Sequence, residues 1–171
     1  SFRGGAVEAV VRYQTVANIL KSSQVPVYIE PGDNETTDCS SPSTGWSYWT
    51  KYFMRFEQNW PCSPTTEHPS NRAENFAFVH KGMLFMGINL VGGSNDTSIM
   101  QADADWVVGQ LQSKGSQVRG AVVFAQAGPG GNHSTFFNPF VSAAQTFAKP
   151  ILYIHGDGHS WMMDRPFSSA Q

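Results

Sequence analysis

Residues 150–159 read Pro-Ile-Leu-Tyr-Ile-His-Gly-Asp-Gly-His, a short apolar run that ends in glycines and polar side chains. Such a run, bounded by turn residues, is typical of a buried β-strand. Residues 118–126 repeat the pattern and end in Ala-Gln. Residues 25–35 repeat it again, as Val-Pro-Val-Tyr-Ile-Glu followed by Pro-Gly-Asp-Asn-Glu. We therefore predict three buried strands whose carboxyl ends carry polar loops at one edge of a sheet.

Helical and hairpin patterns surround these strands. Apolar side chains at three- and four-residue spacing predict the helices. They are predicted over residues 6–21, 44–59, 103–114 and 135–148, the last one weaker and interrupted at Pro139. Alternating residues on both sides of Lys81-Gly82 predict a β-hairpin that spans residues 75–90. Strands that alternate with helices predict the α/β class, with helices on the faces of the sheet.

Length and composition exclude several classes of protein. The chain has 171 residues, of which 40% are hydrophobic, and this predicts a single domain over residues 1–171 with a substantial core. Only 14% of the residues are charged, the net charge is -2, and no two basic residues are adjacent. We therefore expect no nucleic-acid partner. No stretch reaches 18 apolar residues, so we expect no membrane span.

Two cysteines and three sequons bear on the compartment. Cys39 and Cys62 both lie in segments rich in Ser, Pro and Thr, and a disulfide between them would contribute roughly 3 kcal/mol by closing a loop. Two free thiols remain the alternative. Asn34, Asn95 and Asn132 each begin an Asn-X-Ser/Thr sequon, and Asn95 is the most loop-like of the three. Together these features favour a secreted protein or one in an organelle lumen.

The polar residues after the three predicted strands have metal-ligand chemistry. Asp33 and Asn34 follow the first strand, Gln126 follows the second, and Asp157 and His159 follow the third. Oxygen and imidazole ligands together suit a divalent ion such as Mn, Fe, Zn or Mg. Structural alternatives stay open: a simple turn at Asp33-Asn34, a buried amide at Gln126, and a hydrogen-bonded pair in a glycine turn at Asp157 and His159.

These motifs resemble those of the calcineurin-like metallophosphoesterases. That family carries, in order, Asp-x-His, Gly-Asp, Gly-Asn-His-Glu/Asp, a lone His after a strand, and Gly-His-x-His. Here residues 32–35, Gly-Asp-Asn-Glu, stand where Gly-Asn-His-Glu would be, and Gln126 stands where the lone His would be. Residues 156–159, Gly-Asp-Gly-His, stand where Gly-His-x-His would be. The resemblance implies a layered α/β/β/α sandwich of the metallophosphoesterase type.

The same resemblance implies a function and a role for each residue. It implies hydrolysis of a phosphate ester at a dinuclear metal centre, with a phosphorylated small molecule or a phosphoprotein as substrate. Asp33, Gln126 and Asp157 would hold one ion, and His159 would hold the other. Asn34 stands at the position of the His that assists the leaving group, where an amide can only form a hydrogen bond to the phosphate.

The chain departs from the family pattern in two ways. The Asp-x-His and first Gly-Asp segments are absent, so we expect a fragment of a longer chain that lacks the first strands of the sandwich. Gln126 and Asp157 replace two imidazoles, which favours Mg, Mn or Ca over Zn, or loss of metal. The alternative function is a degenerate, inactive phosphoesterase-like domain that serves as a structural or interaction subunit for a protein partner. A weaker third possibility is a module that binds one cation or a phosphate without turnover.

Overall fold

A four-stranded sheet with the order β1-β2-β3-β4 forms the centre of the computed structural model, which describes residues 6–167 and their side chains from Ala9 onward. The strands are β1 Phe76–His80, β2 Met83–Gly87, β3 Gly120–Ala125 and β4 Ile151–His155. The helices are α1 Ala6–Lys21, α2 Pro42–Phe53, α3 Thr97–Lys114 and α4 Ser134–Phe147. Three short 3₁₀ helices lie at Asp33–Glu35, Phe56–Asn59 and Gly115–Gln117. The predicted mixed α/β class is confirmed.

The sheet combines one antiparallel pair with a parallel set. β1 and β2 form the predicted hairpin, and Lys81 and Gly82 connect them with φ angles of 47° and 76°. Two consecutive positive φ values belong to the turn whose twist matches that of paired strands. β2, β3 and β4 are parallel, with Phe85 level with Val122, and Val122 level with Leu152. Their carboxyl ends therefore lie at one edge. This confirms the prediction for β3 and β4, whereas β2 of the hairpin is parallel to them in place of the strand predicted at residues 25–30.

Helices α3 and α4 cover one face of the sheet. The side chains on this face alternate with those on the other face along each strand, as in any pleated sheet. Leu84, Met86 and Val123 from the strands are fully buried against Ala104 and Val107 of α3. From α4, the buried core also receives Phe136, Phe137 and Phe140. This cluster is the larger of the two cores in the described part of the chain.

The other face is covered only in part. Residues 25–31 run across it without forming a strand, so the strand predicted there is wrong. The side chains of this apolar run nevertheless face two sides in alternation, as in a strand. Tyr28 packs on Phe76 and Phe78 of β1, with ring centroids 4.9 and 4.4 Å apart. Val27 and Ile29 contact a second cluster of buried aromatic residues. Its buried members come from α1, α2 and the turn after α2, and are Tyr13, Ala17, Trp49, Phe53, Phe56 and Trp60.

Two helix boundaries differ from the prediction for local reasons. α2 ends at Phe53 because Arg55 has a φ of 52°, which an α-helix cannot contain. α3 begins at Thr97 because Asp96 caps it, accepting hydrogen bonds from the amides of Ser98 and Ile99 at 3.0 and 3.2 Å.

α4 continues through Pro139, so the predicted interruption is wrong. Burial of its phenylalanines outweighs the loss of one N–H donor. None of the described helices is both long and apolar enough to cross a membrane.

The predicted disulfide is also wrong. Cys39 and Cys62 are free thiols. The Sγ of Cys39 donates to the carbonyl oxygen of Ser41 at 3.3 Å, and Cys62 lies at the surface beside Val25 and Pro26. Spacing along the chain sets the entropy of closing a loop, but a disulfide also needs two Cβ atoms that approach each other.

A buried polar network anchors the hairpin to α3. Asn75, which is fully buried, donates to Asp103 Oδ1 at 2.6 Å and accepts from the amide of Asn89 at 2.9 Å. Arg72 contacts both oxygens of Asp103 at 3.2 Å and lies 3.3 Å from Glu74. Burial raises the pKa of Asp103 to about 6, against the opposing effect of Arg72. The start of β1, the end of β2 and α3 are thereby held in one arrangement.

We expect Asn75→Ala to lower the free energy of unfolding by about 2–4 kcal/mol, because it leaves the buried Asp103 carboxylate and the Asn89 amide without this partner. Urea unfolding followed by circular dichroism measures the loss. Gln101→Ala is the control, since Gln101 forms an exposed hydrogen bond to Asp105 in the same helix and should change stability by under about 0.5 kcal/mol. Equal losses for the two variants would contradict a structural role for the network.

Candidate functional site

A cleft of about 480 Å³ opens at the carboxyl ends of β2, β3 and β4. Six of its twelve lining residues are glycine, so ligand atoms can approach the backbone N–H groups closely. The glycines are Gly92, Gly93, Gly128, Gly130, Gly131 and Gly158. The other lining residues are Ser94, Pro129, Asn132, His133, His155 and Asp157. This position is where open α/β sheets bind their ligands.

Gln126 joins the three loops that form the cleft. Its side-chain oxygen accepts from the amide of Gly92 at 2.6 Å, and its Nε2 donates to Asp157 Oδ1 at 2.8 Å. Its main chain donates to the carbonyl of Leu90 and accepts from the amides of Gly156 and Asp157. The structure therefore brings together two of the predicted ligands, Gln126 and Asp157.

The carboxylate of Asp157 lies in close contact with Gly92. A Cβ atom added to Gly92 would lie 2.8 Å from Asp157 Oδ2, closer than real Cβ contacts allow. Gly92 is buried, and its carbonyl accepts from the Thr37 hydroxyl at 2.7 Å. Asp157 Oδ1 receives the Gln126 amide, whereas Oδ2 receives no hydrogen bond from the described residues. One carboxylate oxygen thus stays available at the lip of the cleft.

His133 connects two of the cleft loops from below. Its Nε2 lies 3.1 Å from the carbonyl oxygen of Val91, and its Nδ1 lies 3.2 Å from that of Gly130. The ring is only 7% exposed. Above it, Asn132 donates to Asn95 at 2.8 Å, which links the same two loops at the surface. Sequence reasoning missed His133 because nothing in its immediate sequence marks it as buried.

The remaining predicted residues lie apart from this pair. Asn34 is exposed and donates to Asp33 Oδ1 at 3.2 Å, and Asp33 begins a single 3₁₀ turn. His159 is exposed with a φ of 50°. The chain before Asp33 does pass beside Gln126, since a Cβ atom added to Gly32 would lie 3.7 Å from Gln126 Cγ. Metal binding by these residues stays a prediction.

Glu30 is a half-buried acid that sequence reasoning passed over. It lies directly before the fully buried Pro31, and no described residue forms a hydrogen bond with its carboxylate. Burial raises the pKa of Glu30 to about 8. Burial also raises the pKa of Tyr153, and the charge of Glu30 raises it further, so the two groups are close. The sequence feature that could have identified Glu30 is its position at the end of an apolar run, immediately before Pro-Gly.

The donor set at the cleft fits a cation only together with further ligands. Among residues 9–167, no group of three or more His, Cys, Asp or Glu side chains is placed to hold an ion. The amide oxygen of Gln126 already accepts one hydrogen bond, from the amide of Gly92. Asp157 Oδ2 is the free anionic ligand, with the imidazole of His155 lining the same cleft. Such a site suits a hard cation that keeps water or substrate oxygens as its other ligands.

Comparisons with protein-family models, with curated proteins and with solved structures found no match to this chain.

We expect Gly92→Ala to displace the Asp157 carboxylate, because the new methyl group would occupy its position. The cost should be about 1 kcal/mol, the contribution of the lost Gln126–Asp157 hydrogen bond. Amide chemical shifts of Gly156 and Asp157, together with urea unfolding, measure both effects. Gly109→Ala is the matched control: nothing lies within 4 Å of its Cβ position in α3, so it should stabilise the protein by about 0.5–1 kcal/mol. Unchanged shifts in Gly92→Ala would contradict the contact.

We expect the stability of the protein to fall as the pH rises through about 8, because Glu30 must then ionise where it is buried. The folded-state pKa lies above the ordinary value of 4.5, so this group favours the folded state most below pH 4.5 and loses that contribution as the pH approaches and passes 8. Glu30→Gln should remove this dependence and, at pH 9, raise the free energy of unfolding relative to wild type by at least about 1.4 kcal/mol. Urea titrations at pH 5, 7 and 9 test it, and parallel pH profiles for the two proteins would refute it.

Proposed function

We propose that this chain is a metallophosphoesterase-type domain that binds a phosphate ester together with a divalent cation in the cleft and hydrolyses it. The observation that carries the proposal is the placement of Asp157, whose carboxylate is fixed by Gln126 at the lip of a glycine-lined cleft with one oxygen free. Mg²⁺ in phosphate-processing sites is commonly held by one or two carboxylates and the substrate's own phosphate oxygens.

The charges at the cleft support a cation as the partner of the phosphate. No Lys or Arg is among its lining residues, and Asp157 is negative. A phosphate dianion placed beside that carboxylate would be repelled unless a cation lay between them. The ion, when bound, would neutralise the charge that develops on the phosphoryl oxygens. Mg²⁺ and Mn²⁺ fit this oxygen-rich set better than Zn²⁺ does.

The chain's own residues would bind and orient the ester. The backbone N–H groups of the glycine loops can donate to phosphoryl oxygens, as they do in other phosphate-binding loops. Gln126 would hold Asp157 in the orientation required for the cation, since its amide bonds both Asp157 and Gly92. His133 would keep the two glycine loops at a fixed separation. Asn34, if it reaches the ester, could only donate a hydrogen bond.

The layer order supports the finer fold assignment as part of this proposal. α3 and α4 cover one face of the sheet, while Tyr28 lies on the other face and Val27 and Ile29 contact the helical cluster beyond it. An extended layer between a sheet and a pair of helices corresponds to the second sheet of an α/β/β/α sandwich, here represented by one unpaired segment.

An inactive domain is the second candidate, and one observation favours it. Asn34, at the position where the family has its proton-donating His, is an amide whose side chain bonds to Asp33. Within the described residues, neither Asn34 nor His159 forms a hydrogen bond with Gln126 or Asp157. Binding of a phosphate ester without turnover would follow if no other group supplies a proton to the leaving oxygen.

We expect hydrolysis of p-nitrophenyl phosphate or of bis-p-nitrophenyl phosphate that requires added Mg²⁺ or Mn²⁺ and is lost with a chelator. Asp157→Asn should weaken activation by the ion at least about tenfold, because it removes the free anionic ligand. Asp105→Asn, which changes an exposed carboxylate on α3, is the matched control and should leave activation unchanged. Release of p-nitrophenolate against ion concentration measures both.

Calorimetric titration with Mg²⁺ and phenyl phosphonate separates the candidates. Coupled binding of the two without hydrolysis would support the inactive domain. Absence of both binding and hydrolysis, or equal behaviour of the two asparagine variants, would overturn the assignment of the cleft.

A further inference from the structure

His68 is a buried histidine that lies between the sheet and the second cluster of aromatic residues. Its side chain is 8% exposed. Nδ1 lies 2.8 Å from the main-chain carbonyl oxygen of Asn75, the residue directly before β1. Nε2 lies 3.1 Å from Oε1 of Glu57, which belongs to the 3₁₀ turn Phe56–Asn59. The ring therefore connects this turn with the start of the sheet.

The Glu57 carboxylate that the imidazole contacts is itself 5% exposed. Tyr28 lies near it without a charge, because burial raises the pKa of this phenol, the hydrogen bond with Thr66 opposes the effect, and the charge of Glu57 raises the pKa again. Lys21, at the end of α1, is exposed and lies over the ring of Phe56. On this side, no cation pairs with the carboxylate, and a buried charge without a partner is costly.

The charged side chains on the sheet side already have partners. Arg72 lies 3.3 Å from Glu74 and 3.2 Å from Asp103. Lys114 of α3 pairs with Glu67, the residue directly before the histidine. Among residues 9–167, only the imidazole forms an ion pair with the buried carboxylate.

The two oxygen atoms that face the ring determine where its protons lie. A carbonyl oxygen can only accept, so Nδ1 of His68 must carry a proton and donate it to Asn75. If Nε2 carried no proton, its lone pair would face the oxygen of Glu57, and two acceptors would be buried against each other. One further proton must therefore lie between Nε2 and Oε1, whichever of the two atoms holds it.

We propose that this shared proton makes the contact between the turn Phe56–Asn59 and the start of β1 dependent on pH. While the proton is bound, both nitrogens of His68 and the carboxylate oxygen that faces them are satisfied. When the pair loses the proton to solvent, a buried carboxylate faces a nitrogen lone pair, and the turn opens away from the ring. The contribution of this contact to folding is therefore present at acidic pH and is lost as the pH rises.

Amide hydrogen exchange at pH 6 and pH 9 tests the proposal. The reporters are the amides of Gln58 and Trp60, which donate to the carbonyl oxygens of Arg55 and Glu57 within the turn. The Glu30→Gln protein is used, so that ionisation of Glu30 does not enter the measurement. After correction for the base-catalysed rate of an unstructured peptide, their protection should fall at least about tenfold at pH 9, because a buried hydrogen bond is lost. The protection of the β3 amides should not fall with it.

Glu57→Gln, added to the same protein, is the decisive variant. Its side-chain amide can donate to Nε2 of a neutral ring, so the pair is satisfied without the shared proton. The reporters should therefore stay protected at pH 9, a result that a merely destabilised protein would not give. His80→Gln, at an exposed histidine of β1, is the matched control and should keep the tenfold fall.

Three results would overturn the proposal: equal protection of the two reporters at pH 6 and pH 9, the same fall in Glu57→Gln, or an equal fall at the amides of β3. None of these measurements depends on ion binding or hydrolysis at the cleft, so a failure of the proposed function would leave this test intact.

Discussion

The hydrogen bonds of Gln126 hold together the loops at the carboxyl ends of β2, β3 and β4. One residue after β3 joins the loop after β2 through Leu90 and Gly92, and the loop after β4 through Gly156 and Asp157. An amide side chain can do this because it carries a donor and an acceptor on one rigid group. The side chain of residue 126 therefore contributes both to the shape of the cleft and to the orientation of Asp157.

The parts of the fold that depend on local patterns could be predicted from the sequence. The hairpin follows from alternation around Lys81-Gly82, and α1 follows from apolar spacing. Residues 25–30 show what local sequence patterns cannot predict. Their alternation of apolar side chains is the same as in a strand, and in the structure those side chains do point alternately to the sheet and to the helical cluster. A strand also requires a hydrogen-bonded neighbour, and neighbours are distant in sequence, so the pattern could indicate extension but not pairing.

The candidate site likewise contains residues that the sequence could predict and residues that it could not. Gln126 and Asp157 could be predicted to lie at one edge, because each follows a strand and parallel strands end together. In the structure, Gln126 Nε2 lies 2.8 Å from Asp157 Oδ1. His133 and Glu30 could not be recognised in this way. The burial of His133 results from two loops that close over it, and the raised pKa of Glu30 results from enclosure without a hydrogen-bonding partner. Both depend on tertiary packing, which a single sequence does not encode in any local pattern.

The two halves of the molecule have buried cores of different size. The sheet, α3 and α4 share a continuous apolar core and the network around Asp103. The half formed by α1, α2 and residues 27–30 has a smaller aromatic core and several exposed apolar residues on α1, among them Val11, Val16 and Ile19. Regions with few buried contacts and unpaired backbone open most readily. Residues 27–30 continue through Pro31 to Gly32, where an added Cβ atom would lie 3.7 Å from Gln126 Cγ. The half of the molecule with the smaller core therefore contacts the residue that joins the loops of the cleft.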